Sequence, residues 1–348
     1  MRMKTTRLLA FLLILAALCC SVIGCADAQN EKVIGTCGEY EILYEELRFV
    51  TMTYKAELDA QYGDGNDKNG TIWDDPATAE KYRAKLEEYV WRTVKENYSV
   101  LQACAQMNIK KNVYDGDLVQ KNVDEMIAAL IADYETKGDY YASLEESYMT
   151  EHLFRFYFAV DEMKYYLYTA LEQRDAFMTD EEEFAAWLVD GNCAYVQHFL
   201  RYNEEGADKE INRQLLEEAR QNLISGEWSL RECINSLINQ DMTNVTPYFL
   251  VRHVHDDALV DAAVALQYVD DVSEIVETED AMYVLVLMEE EETEGEDGSL
   301  ETPLSLQLTT LLSNYQWAIV GEYVEAAKEN VVIELNDFGK SIDLLEIK

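Results

Sequence analysis

Tyr195-Val196-Gln197-His198-Phe199-Leu200 is a short run of β-forming residues with one histidine at its centre. Aromatic and β-branched residues suit a pleated, half-buried surface, so the run reads as a strand. Behind it, Ile211, Leu215, Ala219 and Leu223 recur at four-residue steps, which predicts an amphipathic helix ending at Gly226. Trp228–Ile238 reads as a second helix and Asp256–Gln267 as a third. Pro247–Val251, Val272–Val276 and Met282–Met288 read as strands. The order from Cys193 is therefore β-α-α-β-α-β-β, an α+β domain over residues 193–291.

Upstream the pattern changes. Val33–Cys37 and Tyr40–Leu43 read as a strand pair turning at Gly38-Glu39. Leu43, Leu47, Val50, Tyr54 and Leu58 then mark a helix over 44–62. Asp75 before Pro76 is a helix start, with the Pro at the first helical position, and the helix runs through Ala105. Further helices are expected from Asp115 to Tyr134 and, after the capping-box pattern Thr179-Asp180-Glu181-Glu182, through Val189. Residues 33–190 thus form a mostly helical domain. Downstream, the acidic stretch 292–302 reads as a linker or hairpin tip. Leu304 to Ala326 reads as a long helix, Val331–Leu335 as a strand and Ser341–Ile347 as an apolar-alternating tail. One helix and one strand cannot bury a core alone, so 303–348 is expected to return to 33–190, with Val331–Leu335 pairing to Val33–Cys37. The fold class is α+β: a helical domain made from both chain ends with a sheet domain inserted.

Between Gly138 and Asp175 the chain is densely aromatic, including Tyr148, Phe154, Tyr157, Phe158, Tyr165 and Tyr168. Helical neighbours point in different directions, so one face cannot hold them all. They read either as bridges between helices or as a cradle for unfolded polypeptide, which tyrosine suits by being apolar in body and polar at its tip.

The N-terminus carries an address. Arg2, Lys4 and Arg7 precede an uncharged apolar run, Leu8–Ile23, that is short for a membrane span and suits a signal peptide. Val22-Ile23-Gly24-Cys25 resembles a bacterial lipobox. It implies a signal over residues 1–24, lipidation at Cys25, a tether over 25–32 and anchoring to the outer face of the cytoplasmic membrane. The chain carries 28 basic and 68 acidic residues, a net −40 that repels nucleic acid phosphates and anionic lipid headgroups and argues against either as a partner. Removing the three n-region cations leaves 25 basic residues and a net −43. Cys37, Cys104, Cys193 and Cys233 are scattered without metal spacing; two disulfides could form outside the cell with no pairing favoured, and buried free thiols are the preferred expectation. No cofactor or metal is implied. The turn at Gly65–Gly70 has Gly65 and Pro76 where a calcium loop needs carboxylates. His253 and His255 lack a third ligand and read as surface histidines at a helix start.

Three stretches of 193–291 resemble the parvulin family of peptidyl-prolyl isomerases. Val196–Leu200 is similar to the family's opening strand. Ala262–Leu266 with Asp271-Val272-Ser273-Glu274-Ile275-Val276 is similar to its helix and Val-Ser turn, and Thr278–Leu285 to its closing strand. The opening from Val33 to Leu47 resembles the first segment of SurA-like and PrsA-like exported chaperones, where strand–turn–strand leads into a helix that begins acidic-acidic-leucine. The resemblance implies a SurA- or trigger-factor-like helical domain carrying a parvulin-like insert.

Such an insert rotates an Xaa-Pro amide over a barrier of ~20 kcal/mol by holding the proline ring in an apolar pocket. In the family two histidines on adjacent strands tie the floor of that site together. By the resemblance His198 is the first, Tyr283 stands in place of the second, Ala281 replaces a glycine, and His255 and Leu259 fall where an apolar pair lines the pocket. These departures imply weak or absent catalysis, with His198 a core histidine hydrogen-bonded to Tyr283. The expected function is that of a lipid-anchored extracytoplasmic chaperone binding unfolded or newly exported polypeptides. The alternatives are an active isomerase, or a cell-envelope scaffold with one dedicated protein partner.

Overall fold

In chain order the strands are β1 (Val33–Cys37), β2 (Tyr40–Leu43), β3 (Cys193–Tyr202), β4 (Tyr248–Val251), β5 (Val276–Glu277), β6 (Ala281–Leu287), β7 (Thr293–Glu294), β8 (Leu300–Glu301) and β9 (Ile333–Leu335). The principal helices are α1 (Tyr44–Tyr62), α2 (Pro76–Gln106), α3 (Asp117–Ala132), α4 (Lys137–Glu146), α5 (Glu151–Glu172) and α6 (Glu181–Trp187). They continue as α7 (Lys209–Ser225), α8 (Leu230–Ile238), α9 (Asp257–Val264) and α10 (Pro303–Lys328). The computed structural model describes residues 27–63, 70–203, 208–238, 246–294 and 299–348. The signal, the lipobox and Cys25 lie outside the described residues, as does most of the turn at Gly65–Gly70. The chain divides into a helical unit, Met1–Ala170 with Glu322–Lys348, and a sheet unit, Leu171–Gly321.

The helical unit follows its sequence pattern closely. Asp75 caps α2 by accepting the Thr78 N–H, and Leu86, Val90, Val94 and Leu101 bury the stripe behind it. β1 is the middle strand of a sheet ordered β2-β1-β9, in which Gly35 pairs with Leu335 and Cys37 with Ile333. Gly35 makes this possible: a Cβ there would lie 2.6 Å from the Glu334 carbonyl. The Asn336 N–H then donates to the Ile34 carbonyl at 3.0 Å. Buried Lys55 donates to the carbonyls of Leu345 and Ile347, both at 2.8 Å, so α1 holds the chain end. Burial lowers the Lys55 ammonium to about 8.

The sheet unit has the order β4-β3-β6-β5, antiparallel throughout. Strand alternation divides its side chains between two faces. Phe199, Met282, Val284 and Val286 pack with Leu216, Ala219, Ile234 and Leu237 of α7 and α8. Val196, Leu250 and Leu285 pack with Leu259, Val260 and Ala263 of α9. The expected β-α-α-β-α-β-β order is the observed one.

Three details differ from the sequence reading. Ile211 and Leu215 are 54% and 38% exposed, while Asn212, Leu216, Ala219 and Arg220 are buried. Polar bonds turn the helix: Asn212 Oδ1 accepts from Arg201 Nε at 3.2 Å, and Arg220 Nε donates to the Ser273 carbonyl at 2.7 Å. Val272–Val276 is not a full strand, because Ser273 clips β6 with its N–H to the Leu285 carbonyl and its Oγ to the Leu285 N–H, both at 2.9 Å. The acidic stretch forms a short hairpin in which Thr293 pairs with Glu301 and Glu294 with Leu300.

Candidate functional site

On the central strand β3, His198 lies opposite Leu285 of β6, and Leu200 lies opposite Tyr283. Tyr283 is therefore a diagonal neighbour of His198, and the rings meet edge to face with centroids 5.6 Å apart. Tyr248 of β4 approaches the other side of His198 at 5.4 Å, nearly perpendicular, and His255 lies 6.1 Å from Tyr248. The expected hydrogen bond from His198 to Tyr283 is not formed: His198 Nδ1 is buried with no partner among the described residues. Burial holds both His198 and His255 below the ordinary histidine value, so both imidazoles are neutral near pH 7. A neutral His255 fits its bond, in which Nδ1 accepts the Val251 N–H at 3.0 Å.

Leu259 is 7% exposed and belongs to the core between α9 and the sheet. The structure thus brings His198, Tyr283, His255 and Leu259 to one sheet face, and adds Tyr248, which sequence reasoning missed. That face can pack apolar groups and offers one unused imidazole nitrogen. Of the two histidines expected at the surface, His253 is exposed and His255 is half-buried. His253, at φ +68°, stacks on Trp187 with centroids 6.2 Å apart, and among the described residues no three His, Cys, Asp or Glu side chains cluster as for a metal. Cys37, Cys104, Cys193 and Cys233 are free thiols. Burial pushes Cys104 and Cys193 up to about 12 and Cys233 to about 11, which makes them poor nucleophiles.

In the helical unit most of the aromatic run bridges helices. Phe154 and Phe158 stack at 5.5 Å beside Val119, Val123 and Ile127 of α3. Tyr157 meets Phe49 of α1 at 6.1 Å, and Tyr148 lies under the Arg48 guanidinium at 5.0 Å. Tyr168 is half-buried, while Tyr165 is 43% exposed. Buried Tyr98 and half-buried Tyr40, Tyr114 and Phe156 meet at a concavity of the helical unit. A cavity of about 390 Å³ beside the edge strand β2 is lined by Tyr40, Leu43, Tyr98, Tyr114 and Phe156, together with Glu45 and Glu46. A second cavity, of about 250 Å³, adjoins it and shares Tyr40, Tyr98 and Lys111 as lining. Sequence reasoning passed over this site, although a signal was present: Glu46 is three residues from Leu43 and four from Val50, on the apolar stripe of α1.

No protein-family model matches the chain, and no curated protein matches it. Solved structures do. The chain is similar to the peptidylprolyl isomerase PrsA of Bacillus anthracis at 15% identity, covering 69% of this chain and 99% of that one, with a TM-score of 0.36. It is similar to the foldase PrsA of Streptococcus pneumoniae at 16% identity over 75% and 93%, with a TM-score of 0.28. A SurA-like chaperone structure from Campylobacter jejuni is 14% identical over 88% and 99%, with a TM-score of 0.25. What the chain resembles, at low identity, is the PrsA- and SurA-like foldases and chaperones.

Proposed function

We propose that this chain is an exported chaperone, lipid-anchored through Cys25, that holds unfolded polypeptides and catalyses prolyl isomerisation weakly or not at all. The observation that carries the holding function is the tyrosine-lined groove beside β2. It offers apolar area with polar tips, which suits many sequences rather than one. An unpaired strand edge beside such a surface also suits extended chain. Export and anchoring rest on the charge pattern ahead of the apolar run and on Gly24-Cys25. The test is aggregation of a chemically unfolded client. Suppression at a one-to-one ratio is expected, and aggregation at the unassisted rate would sink the holdase reading.

A second reading, an active isomerase, is motivated by one observation: His198 Nδ1 is left without a partner among the described residues, although it is buried and would bond a substrate amide only once the face around it opened. It requires faster cis/trans exchange of an Xaa-Pro peptide that disappears in His198→Ala. The weak-catalysis reading expects the uncatalysed rate, which is slow because the barrier is ~20 kcal/mol. Capture of one dedicated protein, without general client binding, would favour the envelope scaffold instead.

A further inference from the structure

Glu46 is 2% exposed, and among the described residues no lysine, arginine or histidine is bonded to it. Its Oε1 accepts from Asn97 Nδ2 at 2.8 Å. Its Oε2 lies 3.0 Å from the Tyr98 hydroxyl, which also lies 3.2 Å from the Glu41 carbonyl of β2. A phenol has one proton, and an ionised Glu46 and the Glu41 carbonyl are both acceptors. The one proton can then serve only one of the two contacts in full, and a proton shared between them makes two weakened arms. A protonated Glu46 resolves the conflict by donating from Oε2 to Tyr98, which leaves the Tyr98 proton for Glu41.

We propose that Glu46 is a proton-operated latch on the edge strand β2. Protonated, it completes the chain Glu46–Tyr98–Glu41 and ties β2 to α2; ionised, it draws the Tyr98 hydrogen bond to itself and lets β2 go. β2 borders the groove described above, so its release widens that groove. The latch is a property of the fold and holds whether or not polypeptides bind there. Burial supports it, lifting the Glu46 carboxyl to about 7 against the lowering by its bonds to Asn97 and Tyr98. The folded value stands above the unfolded 4.5, so this contribution to stability is complete below pH 4.5 and is lost as pH rises through about 7.

Other titratable groups surround the latch. Glu45, its neighbour on α1, is bonded to His152 and Thr150. The Tyr157 hydroxyl on α5 accepts from Asn97 at 3.4 Å. Cys37 and Tyr114 lie close enough for the Glu46 charge to raise both. Glu41, Lys111, Asp115 and Arg155 line the same groove. The Glu45 bond raises His152, which makes that pair the competing switch.

The experiment is hydrogen exchange of the full chain at pH 5.5 and 8, corrected for intrinsic rate and read on peptides covering β2. The wild type is expected to lose about tenfold protection there at the higher pH. Glu46→Gln, whose amide can accept from Asn97 and donate to Tyr98, is expected to keep protection at both. Tyr98→Phe is expected to lose it at both, and His152→Gln to follow the wild type. A pH-independent wild type, or a Glu46→Gln variant that follows it, overturns the latch. So does a carboxyl titration of Glu46 in nuclear magnetic resonance with a midpoint below 5. If pH dependence vanishes in His152→Gln, the switch belongs to Glu45 and His152.

Discussion

Buried Arg220 illustrates how one polar side chain organises the sheet unit. It donates to the Ser273 carbonyl, and Ser273 in turn clips Leu285 directly opposite His198. Replacing Arg220 with Met keeps the aliphatic packing but leaves that carbonyl without its donor. The expected loss is about 1–3 kcal/mol in urea unfolding, the cost of an unsatisfied buried acceptor. His198 should behave oppositely. Its Nδ1 has no partner among the described residues and burial lowers its pKa, so His198→Phe is expected to leave stability at pH 8 within about 1 kcal/mol. Because the unfolded histidine binds a proton that the folded one refuses, the wild type loses stability as pH falls through the unfolded value of 6.5. The variant should lose less, which thermal unfolding at pH 5 and 8 can measure.

Among the elements, the β1–β9 pairing depends on Gly35. Gly35→Ala places a methyl 2.6 Å from the Glu334 carbonyl, so β9 must shift. The expected cost is about 1–3 kcal/mol, with earlier proteolysis of the C-terminal segment as the readout. The succession of elements along the sheet unit and the positions of α1, α2, α3 and α10 were legible before the structure, because each of these elements carries its own period and caps. Asp75 with Pro76 marked α2, Gly226 ended α7 in the left-handed conformation at φ +74°, and β9 was expected on β1. The rotation of α7 was not legible: its apolar and polar stripes overlap, and the buried one was selected by Arg201 and Ser273, partners distant in sequence. For the same reason the groove beside β2 was missed. Its walls come from β2, α2, α5 and the short helix Lys111–Tyr114, and no local pattern joins them.

For the molecule, charge and chain closure dominate. A net −40 repels itself, so raising ionic strength from roughly 10 mM to roughly 150 mM is expected to raise the melting temperature by a few degrees. A flat response would show that the carboxylates are locally compensated. Deleting residues 331–348 removes β9 and the carbonyls that satisfy Lys55, and should unfold the helical unit at temperatures where the whole chain survives, as circular dichroism would report.

The sequence by itself determined the class of fold, the inserted sheet unit, the return of the C-terminal strand and the placing of His198 on that unit's opening strand. These follow from periodicity, caps and turn residues, which act over a few positions. Only the tertiary structure decided that His198 and Tyr283 meet ring to ring without a hydrogen bond, that Leu259 fills the core, and that the Tyr98 hydroxyl lies within bonding distance of both the Glu46 carboxyl and the Glu41 carbonyl. Those are matters of which atom is left facing which once the chain is packed. A hydrogen bond is won or lost over less than an ångström, a distance that residue spacing does not encode.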